Sequence, residues 1–155
     1  MDLSTLLSPS RSRNRLHGGS KKRVLEQAAK LIAADYPALD PDDLFRQLTA
    51  RERLGSTGIG HGIAIPHSRA ENCATAIGAL ITLEEAVDFE AVDDAPVDII
   101  FTLLVPNEAQ EEHLRILAAL AQVFGNADNL QKLRNAESDE DLFQRARQLF
   151  DSAPA

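Results

Sequence analysis

The sequence predicts an α/β fold in which a mixed β-sheet is sandwiched by helices. Two nearly continuous apolar runs, residues 76–83 and 97–105, have the length and branching of central strands covered on both faces. Helical patterns precede and follow these runs, and helices on both faces of one sheet form a stable layered arrangement. The 155 residues, 44% of them hydrophobic, suffice for one domain with a substantial core. We therefore expect a single domain over residues 1–155 with a frayed C-terminal tail.

Two helices are predicted before the sheet, each with a recognisable start. Ser20 can cap the first helix, which ends near Tyr36 and has its apolar residues on one face: Val24, Leu25, Ala28, Ala29 and Ile32. In the second helix Asp40 is the expected N-cap and Pro41 occupies the first position, as is typical of helix starts. Its expected buried residues are Leu44, Phe45, Leu48 and Leu54.

The predicted strands begin after a glycine-rich loop. Residues 63–65 form a short strand, and the two long apolar runs follow it. Between those runs a short edge strand is expected over residues 86–89, before a turn at residues 93–96.

Three helical patterns close the chain. The first ends at Gly125 and has an apolar stripe formed by Leu114, Leu117, Ala118, Ala121 and Phe124. The second is short and lies near residues 129–134. The third starts with Ser138 and Asp141, the hydroxyl and the acidic residue of a capping box, and its expected buried residues are Leu142, Phe143, Ala146 and Leu149.

Composition and charge exclude several classes of protein. Sixteen basic and 24 acidic residues give a net charge of −8, the wrong sign for a general nucleic-acid binder. The single cysteine cannot form an internal disulfide. No apolar run approaches the roughly 18 residues of a membrane span, and the first residues do not resemble a secretory signal. We expect a cytoplasmic protein without nucleic-acid partners or membrane insertion.

Basic residues nevertheless cluster near the start of the chain, at Arg11, Arg13, Arg15, Lys21, Lys22 and Arg23. A solvated loop followed by a helix start is the favoured interpretation, and contact with a protein partner is the alternative.

Residues 51–69, RERLGSTGIGHGIAIPHSR, contain four glycines before an apolar run that ends at Pro66 and His67. A P-loop would need a lysine and a hydroxyl after its last glycine, where this chain has His61 and Gly62. The dinucleotide-binding fingerprint has a different glycine spacing and opens a helix rather than a strand. The segment therefore does not predict nucleotide binding.

The residues before His67 restrict the backbone that presents its side chain. Glycines let main-chain N–H groups approach a charged neighbour closely, and Pro66 holds Ile65 in an extended conformation. We expect His67 to leave a defined strand end and to point into a site edged by loop amides. The alternative is a surface or capping histidine, and the residues alone leave both open.

The whole segment from Arg51 to His67 closely resembles the active-site signature of the type-2 EIIA domains of the bacterial phosphoenolpyruvate phosphotransferase system. It is most similar to the nitrogen-regulatory members of that family. The resemblance continues in residues 96–106, 112–114 and 136–142 and covers about residues 3–148, the expected core of the domain. It implies the same mixed sheet between helices.

The resemblance also implies a phosphoryl relay that uses no cofactor or metal. His67 would accept the phosphoryl group on Nε2, giving a tele-phosphohistidine, from a histidine phosphocarrier protein of the HPr or NPr type. His113 and Arg51 would line the same site. The loop residues expected around the phosphoryl group are Gly55, Ser56, Thr57, Gly58, Gly60 and Gly62. Such a protein is a phosphotransferase-system component rather than an autonomous kinase.

The nitrogen-regulatory resemblance implies binding to regulatory targets, such as potassium transporters or sensor kinases, according to the phosphorylation state of His67. A phosphoryl charge of nearly −2 is sufficient to switch an interface. The alternative is a sugar-transport EIIA component that passes the phosphoryl group to an EIIB domain. We favour the regulatory role.

Several residues of this region have a second interpretation. By its helical neighbours alone, His113 would be a histidine at the edge of a buried face. Arg53 competes for the role of the arginine. His61 faces water or hydrogen-bonds the phosphoryl group, and water is favoured; Ser68 tunes His67 or has no role. A metal site at His61 and His67 is not favoured because no third ligand is apparent.

Overall fold

The computed structural model describes residues 3–108 and 110–153, and these residues form a six-stranded mixed sheet with helices on both faces. The strands are β1 (Ser12–Leu16), β2 (Gly58–Gly60), β3 (Ile63–Ala64), β4 (His67–Ala70), β5 (Ile77–Val87) and β6 (Val97–Pro106). The helices are α1 (Lys21–Asp35), α2 (Pro41–Leu54), α3 (Gln110–Phe124), α4 (Ala127–Arg134) and α5 (Asp139–Asp151). Two short 3-10 helices cover Leu3–Leu6 and Pro9–Arg11. The predicted α/β class is confirmed.

The antiparallel pair of β5 and β6 forms the centre of the sheet. The strand order is β1-β5-β6-β3-β2, and β4 also pairs with β6. Successive side chains of a strand point to opposite faces. On these two strands one face carries Leu80, Ile99, Phe101, Leu103 and Val105, and the other carries Ile77, Ala79, Ile81, Ile100 and Leu104. Both runs are therefore covered on both faces, as their continuous apolar character predicts.

Each face of the sheet is covered by its own group of helices. α1 and α2 pack on one face, and α3, α4, α5 and the 3-10 helix at Leu3–Leu6 pack on the other. The predicted N-caps are confirmed, because the side chains of Ser20, Asp40 and Ser138 accept hydrogen bonds from main-chain N–H groups of the first helical turns. Within the described ranges, no helix is long and apolar enough to cross a membrane.

Two predictions about buried helix faces are wrong. Leu54 is 85% exposed at the end of α2. In α3 the buried residues are His113, Ile116, Leu120, Val123 and Phe124, so the helix is rotated relative to the predicted stripe. Leu114 is 68% exposed. The sequence of α3 has apolar residues on most sides, and its pattern therefore does not select the face that meets the sheet.

The basic N-terminal segment was predicted as a solvated loop, and this is wrong for residues 11–16. β1 pairs in parallel with β5, with Ser12 opposite Leu80. The Arg11 side chain is 7% exposed and forms an ion pair of 2.7 Å with Asp35. Its Nε also donates to the carbonyl oxygen of Gly78 at 2.9 Å. β1 can be polar because it needs no apolar face to stay in place. Main-chain pairing with β5 and the contacts of the buried Arg11 side chain hold it there.

The edge strand predicted over residues 86–89 is not a separate element. Ala86 and Val87 continue β5 after an irregularity in its pairing, and Val87 lies opposite Val97. Phe89 is fully buried but follows the end of the strand. Of the predicted frayed tail, Asp151 belongs to α5, while Pro154 and Ala155 lie outside the described residues.

Replacing Arg11 tests how much the N-terminal segment contributes to stability. Arg11→Ala leaves the Gly78 carbonyl without its side-chain donor and Asp35 without its ion-pair partner, so we expect a loss of about 2–4 kcal/mol in the free energy of unfolding. Urea denaturation followed by circular dichroism measures it. Arg13→Ala is the control, because that side chain is 36% exposed and its carboxylate partner is 4.0 Å away. Equal losses in both variants would contradict the assignment.

Candidate functional site

The glycine-rich segment folds as a β-hairpin on the edge of the sheet. β2 and β3 pair antiparallel, with Gly58 opposite Ala64, so part of the predicted loop is a strand. β3 and β4 run parallel to β6, and the carbonyl of Pro66 between them accepts from the N–H of Leu103 at 2.9 Å. His67 is the first residue of β4, rather than a residue that leaves the end of a strand.

Two hydrogen bonds define the state of the His67 ring. Nδ1 lies 2.8 Å from the carbonyl oxygen of Ile65. Nε2 lies 3.2 Å from the Nε–H of Arg51, which is a donor only. A carbonyl oxygen needs the proton on Nδ1, and the arginine donor needs a lone pair on Nε2. The geometry is therefore that of the neutral Nδ1–H tautomer, with its nucleophilic lone pair on Nε2.

The surroundings of His67 favour the same neutral form. Burial is the largest effect and lowers the pKa of His67 below its ordinary value, and the positive charge of Arg51 lowers it further. The Ile65 carbonyl and the carboxylate of Glu52 act in the opposite direction but are outweighed. An imidazole that stays neutral near pH 7 keeps its lone pair available.

His113 lies beside His67, where α3 begins. The two ring centroids are 5.4 Å apart and the ring planes are inclined at 76°. His113 is buried, and burial is the largest effect that lowers its pKa; repulsion from a protonated His67 and from Arg69 and Arg51 lowers it further. Its Nδ1 is buried without a hydrogen-bond partner among the described residues. α3 thus buries a different face from the one predicted, and this face carries His113 into the site.

Arg51, rather than Arg53, is the arginine that reaches His67. Its Nη1 donates to the carbonyl oxygen of Gly55 at 2.9 Å, which holds the guanidinium at the C-terminal end of α2. Arg53 is exposed on another side of that helix. Arg69 was missed in the sequence, although it lies two residues after His67 on β4, and the period of a strand places both on one face.

The six predicted loop residues divide into two groups. Gly55, Ser56, Thr57 and Gly58 lie at the base of the hairpin: Gly55 contacts Arg51, and the carbonyl of Thr57 accepts from Ile65 N–H. Gly60 and Gly62 belong to its tip. Because Ile63 lies opposite Ile99 and His67 opposite Leu103, four residues of extended chain, about 13 Å, separate the tip from His67.

Two of the loop amides already have hydrogen-bond acceptors near the base of the hairpin. The N–H of Thr57 donates to Glu52 at 3.3 Å, and the N–H of Gly58 donates to the hydroxyl of Ser56 at 3.1 Å. At the tip Gly62 has φ of +83°, and a Cβ there would lie 2.5 Å from Nη2 of Arg134. The glycines therefore form the turn and permit this close approach.

His61 and Ser68 are placed away from the two ring nitrogens of His67. The His61 side chain is exposed, in line with the favoured prediction, while its main chain bonds to Asp93 and Arg134. The Ser68 hydroxyl donates to the carbonyl oxygen of Arg69 at 3.0 Å. No group of three or more His, Cys, Asp or Glu side chains suited to a metal ion occurs in the part of the chain that the structure describes.

Glu52 is a further residue that sequence reasoning missed. In the charged triplet at residues 51–53 it resembles a solvated glutamate, yet its side chain is 4% exposed. It lies 2.8 Å from the ammonium of Lys21 and also accepts from the hydroxyl of Thr57. The only available signal was its position next to Arg51 in the segment preceding the glycines.

Similarity to known proteins extends over nearly the whole chain. Residues 5–148 match the family described as phosphoenolpyruvate-dependent sugar phosphotransferase system, EIIA 2. The chain is 50% identical over 142 residues to a nitrogen regulatory protein of Pseudomonas aeruginosa, covering 92% of each chain. It superposes with a TM-score of 0.87 on the crystal structure of nitrogen regulatory protein IIA-Ntr from Neisseria meningitidis, at 39% identity over 96% of this chain and 98% of that one. The mannitol IIA protein of Escherichia coli shares the fold, with a TM-score of 0.73 at 17% identity, over 90% of this chain and 97% of that one.

Removal of the arginine charge tests the electrostatics of the site. In Arg51→Gln we expect the pKa of His67 to rise, because one of the two effects that lower it is lost while burial remains. An NMR pH titration of the His67 ring measures the change. Arg53→Gln is the matched control, because this substitution also removes one positive charge from the last turn of α2, at an arginine that is exposed. A pKa of His67 that responds equally to both substitutions would contradict a specific contact with Arg51.

Proposed function

Because the chain belongs to the EIIA type-2 family of the phosphoenolpyruvate-dependent sugar phosphotransferase system, we propose that His67 accepts a phosphoryl group from a histidine phosphocarrier protein. One observation carries this proposal: a neutral histidine has Nδ1–H bonded to the Ile65 carbonyl and its Nε2 lone pair directed at Arg51. Nε2 is thus the atom that becomes phosphorylated.

The transfer is a displacement at phosphorus that needs no base. The Nε2 lone pair forms the new P–N bond, and the electron pair of the breaking P–N bond returns to the ring nitrogen of the donor histidine. His67 loses no proton, because its proton lies on Nδ1 and stays bonded to Ile65. The hydrogen bond from Arg51 to Nε2 has to break first, and its guanidinium donors are then free to bind phosphoryl oxygens.

His113 assists by orienting the phosphoryl group. Its ring meets that of His67 edge to face at 5.4 Å, close enough for one N–H to reach a phosphoryl oxygen on Nε2. Burial keeps water from competing for that donor. With Arg51 and Arg69 nearby, the site has the positive charge that a phosphoryl group requires.

We propose that the protein is regulatory and that the phosphorylation state of His67 selects its partners. The similarity to nitrogen regulatory proteins supports this role, with potassium transporters or sensor kinases as targets. Two exposed apolar residues lie near the site residues in the chain: Leu54 is three residues after Arg51, and Leu114 directly follows His113. A partner that packs on them would meet a charge of nearly −2 on His67 and so distinguish the two states. The sugar-transport alternative, transfer to an EIIB protein, is supported by the family description.

Three features remain predictions that belong to this proposal: a cytoplasmic location, a single domain over residues 1–155, and operation without a cofactor. The family match over residues 5–148 supports the domain prediction.

Intact-protein mass spectrometry tests the acceptor directly. After incubation with phosphoenolpyruvate, enzyme I and the phosphocarrier protein, we expect the native chain and His61→Ala to gain one acid-labile phosphoryl group and His67→Ala to gain none. His61 is the control because it is exposed at the hairpin tip. A native protein that gains no mass would refute the acceptor role. Rapid, stoichiometric passage of the label to an EIIB protein would favour the sugar-transport alternative.

His113→Ala should fold but accept the phosphoryl group more slowly. Loss of one aligned donor in a buried site slows such reactions about a hundredfold. Rapid-quench measurement of phosphorylation gives the rate, and the near-UV circular dichroism spectrum shows whether packing is retained. A folded His113→Ala protein with the native rate would show that this histidine only fills space.

A further inference from the structure

Glu52 is a buried carboxylate on which three donors converge. The ammonium of Lys21 lies 2.8 Å from Oε2, and the N–H of Thr57 donates to the same oxygen at 3.3 Å. The hydroxyl of Thr57 donates to Oε1. Buried carboxylates are rare unless paired, and here both oxygens have partners. No step of the proposed phosphoryl transfer uses this group, so its burial calls for another explanation.

A continuous series of hydrogen bonds connects Glu52 with the ring of His67. Glu52 holds both donors of Thr57, and the carbonyl oxygen of Thr57 accepts from the N–H of Ile65 at 3.0 Å. The carbonyl oxygen of Ile65 in turn accepts from Nδ1 of His67 at 2.8 Å. Each bond belongs to the base of the hairpin, and together they set where the Ile65 carbonyl points.

We propose that Glu52, held by Lys21, is a positioning residue that maintains the Nδ1–H tautomer of His67 through Thr57 and Ile65. This inference rests on the proposed role of His67 as phosphoryl acceptor, because only there does the tautomer matter. In the other neutral tautomer Nε2 carries the proton and has no lone pair for attack on phosphorus.

The contacts of Lys21 tie the network to rigid parts of the fold. Its ammonium lies 5.0 Å from the ring centroid of Phe89, which is fully buried, and 3.4 Å from the Phe89 carbonyl oxygen. The same carbonyl oxygen accepts from the hydroxyl of Ser56. Lys21 therefore links the start of α1, the end of α2 and the segment that follows β5.

A carboxylate at residue 52 lets the ammonium of Lys21 and both Thr57 groups donate at once, because each of its oxygens only accepts. Glutamine has one acceptor oxygen and one NH₂ group that donates. With the amide oxygen towards Lys21, the glutamine NH₂ group meets the Thr57 hydroxyl, which then has to turn and accept instead of donate. In the other orientation the NH₂ group faces the ammonium of Lys21 and the N–H of Thr57, donor against donor. Glu52→Gln thus keeps the size of the side chain while weakening the series of hydrogen bonds. The negative charge of Glu52 also acts on the ring directly, since it raises the pKa of His67.

Four variants separate positioning from general stability. Glu52→Gln removes the charge, Thr57→Val removes the hydroxyl donor at nearly constant volume, and Thr57→Ser restores that hydroxyl. Glu26→Gln is the control, because Glu26 is a partly exposed residue of α1 that pairs with Lys30. Ring ¹⁵N chemical shifts of His67 report which nitrogen carries the proton, and rapid-quench kinetics report phosphorylation.

We expect Glu52→Gln and Thr57→Val to lower the Nδ1–H fraction of His67 and to slow phosphorylation about tenfold. The concentration of phosphocarrier protein that gives half-maximal rate should stay within about twofold, because the network is buried and does not contact a partner. Thr57→Ser should recover most of what Thr57→Val loses, and Glu26→Gln should behave as the native protein.

Native-like Nδ1–H fractions in folded Glu52→Gln and Thr57→Val would overturn the proposal. If Glu52→Gln does not fold, the comparison of Thr57→Val with Thr57→Ser decides it. The NMR measurement needs no phosphocarrier protein. A native chain that accepts no phosphoryl group would therefore refute the proposed function, while the tautomer of His67 would still show whether Glu52 positions the ring.

Discussion

The antiparallel pairing of β5 with β6 is the constraint on which the rest of the molecule depends. Successive side chains of β5 and β6 point to opposite faces of the sheet, so these two strands supply apolar residues to the hydrophobic core on each face. The free edge of β6 then pairs with β3 and β4, which places His67 opposite Leu103. The free edge of β5 pairs with β1. Helix packing and the location of the site both follow from this centre.

Different groups set the charge of the His67 ring and the nitrogen that carries its proton. Burial and the guanidinium of Arg51 keep His67 neutral, and a carbonyl on one side with a donor on the other selects its tautomer. A solvated histidine would have neither property, because water can donate and accept at both nitrogens. The same cations that disfavour protonation of His67 attract a phosphoryl group. One arrangement thus serves the free and the phosphorylated state.

Two ion pairs, each with one buried member, join parts of the chain that apolar packing alone would not align. Arg11 and Asp35 attach the N-terminal segment to α1, and Lys21 and Glu52 attach the hairpin base to the ends of α1 and α2. Burying charge is costly, and such pairs contribute little net stability compared with apolar replacements. Their effect here is to fix the relative orientation of the joined segments, because each cation and each carboxylate makes further hydrogen bonds.

Features that depend on local chemistry can be predicted from the sequence. Helix starts follow from the caps at Ser20, Asp40 and Ser138, and the central strands follow from runs too apolar to be exposed. The segment from Arg51 to His67 was recognisable as a signature because its residues are contiguous. The same sequence could not select the buried face of α3, since apolar residues surround that helix.

Contacts between distant groups become visible only in the folded chain. Folding buried Glu52 against Lys21, turned His113 towards His67, and made a strand of the polar segment after Arg11. These outcomes depend on partners that lie between 31 residues (Lys21 and Glu52) and 68 residues (Ser12 and Leu80) apart in the chain, and the sheet register rather than local propensity brings them together. A charged group is costly to bury without such a partner, and the sequence does not display that partner.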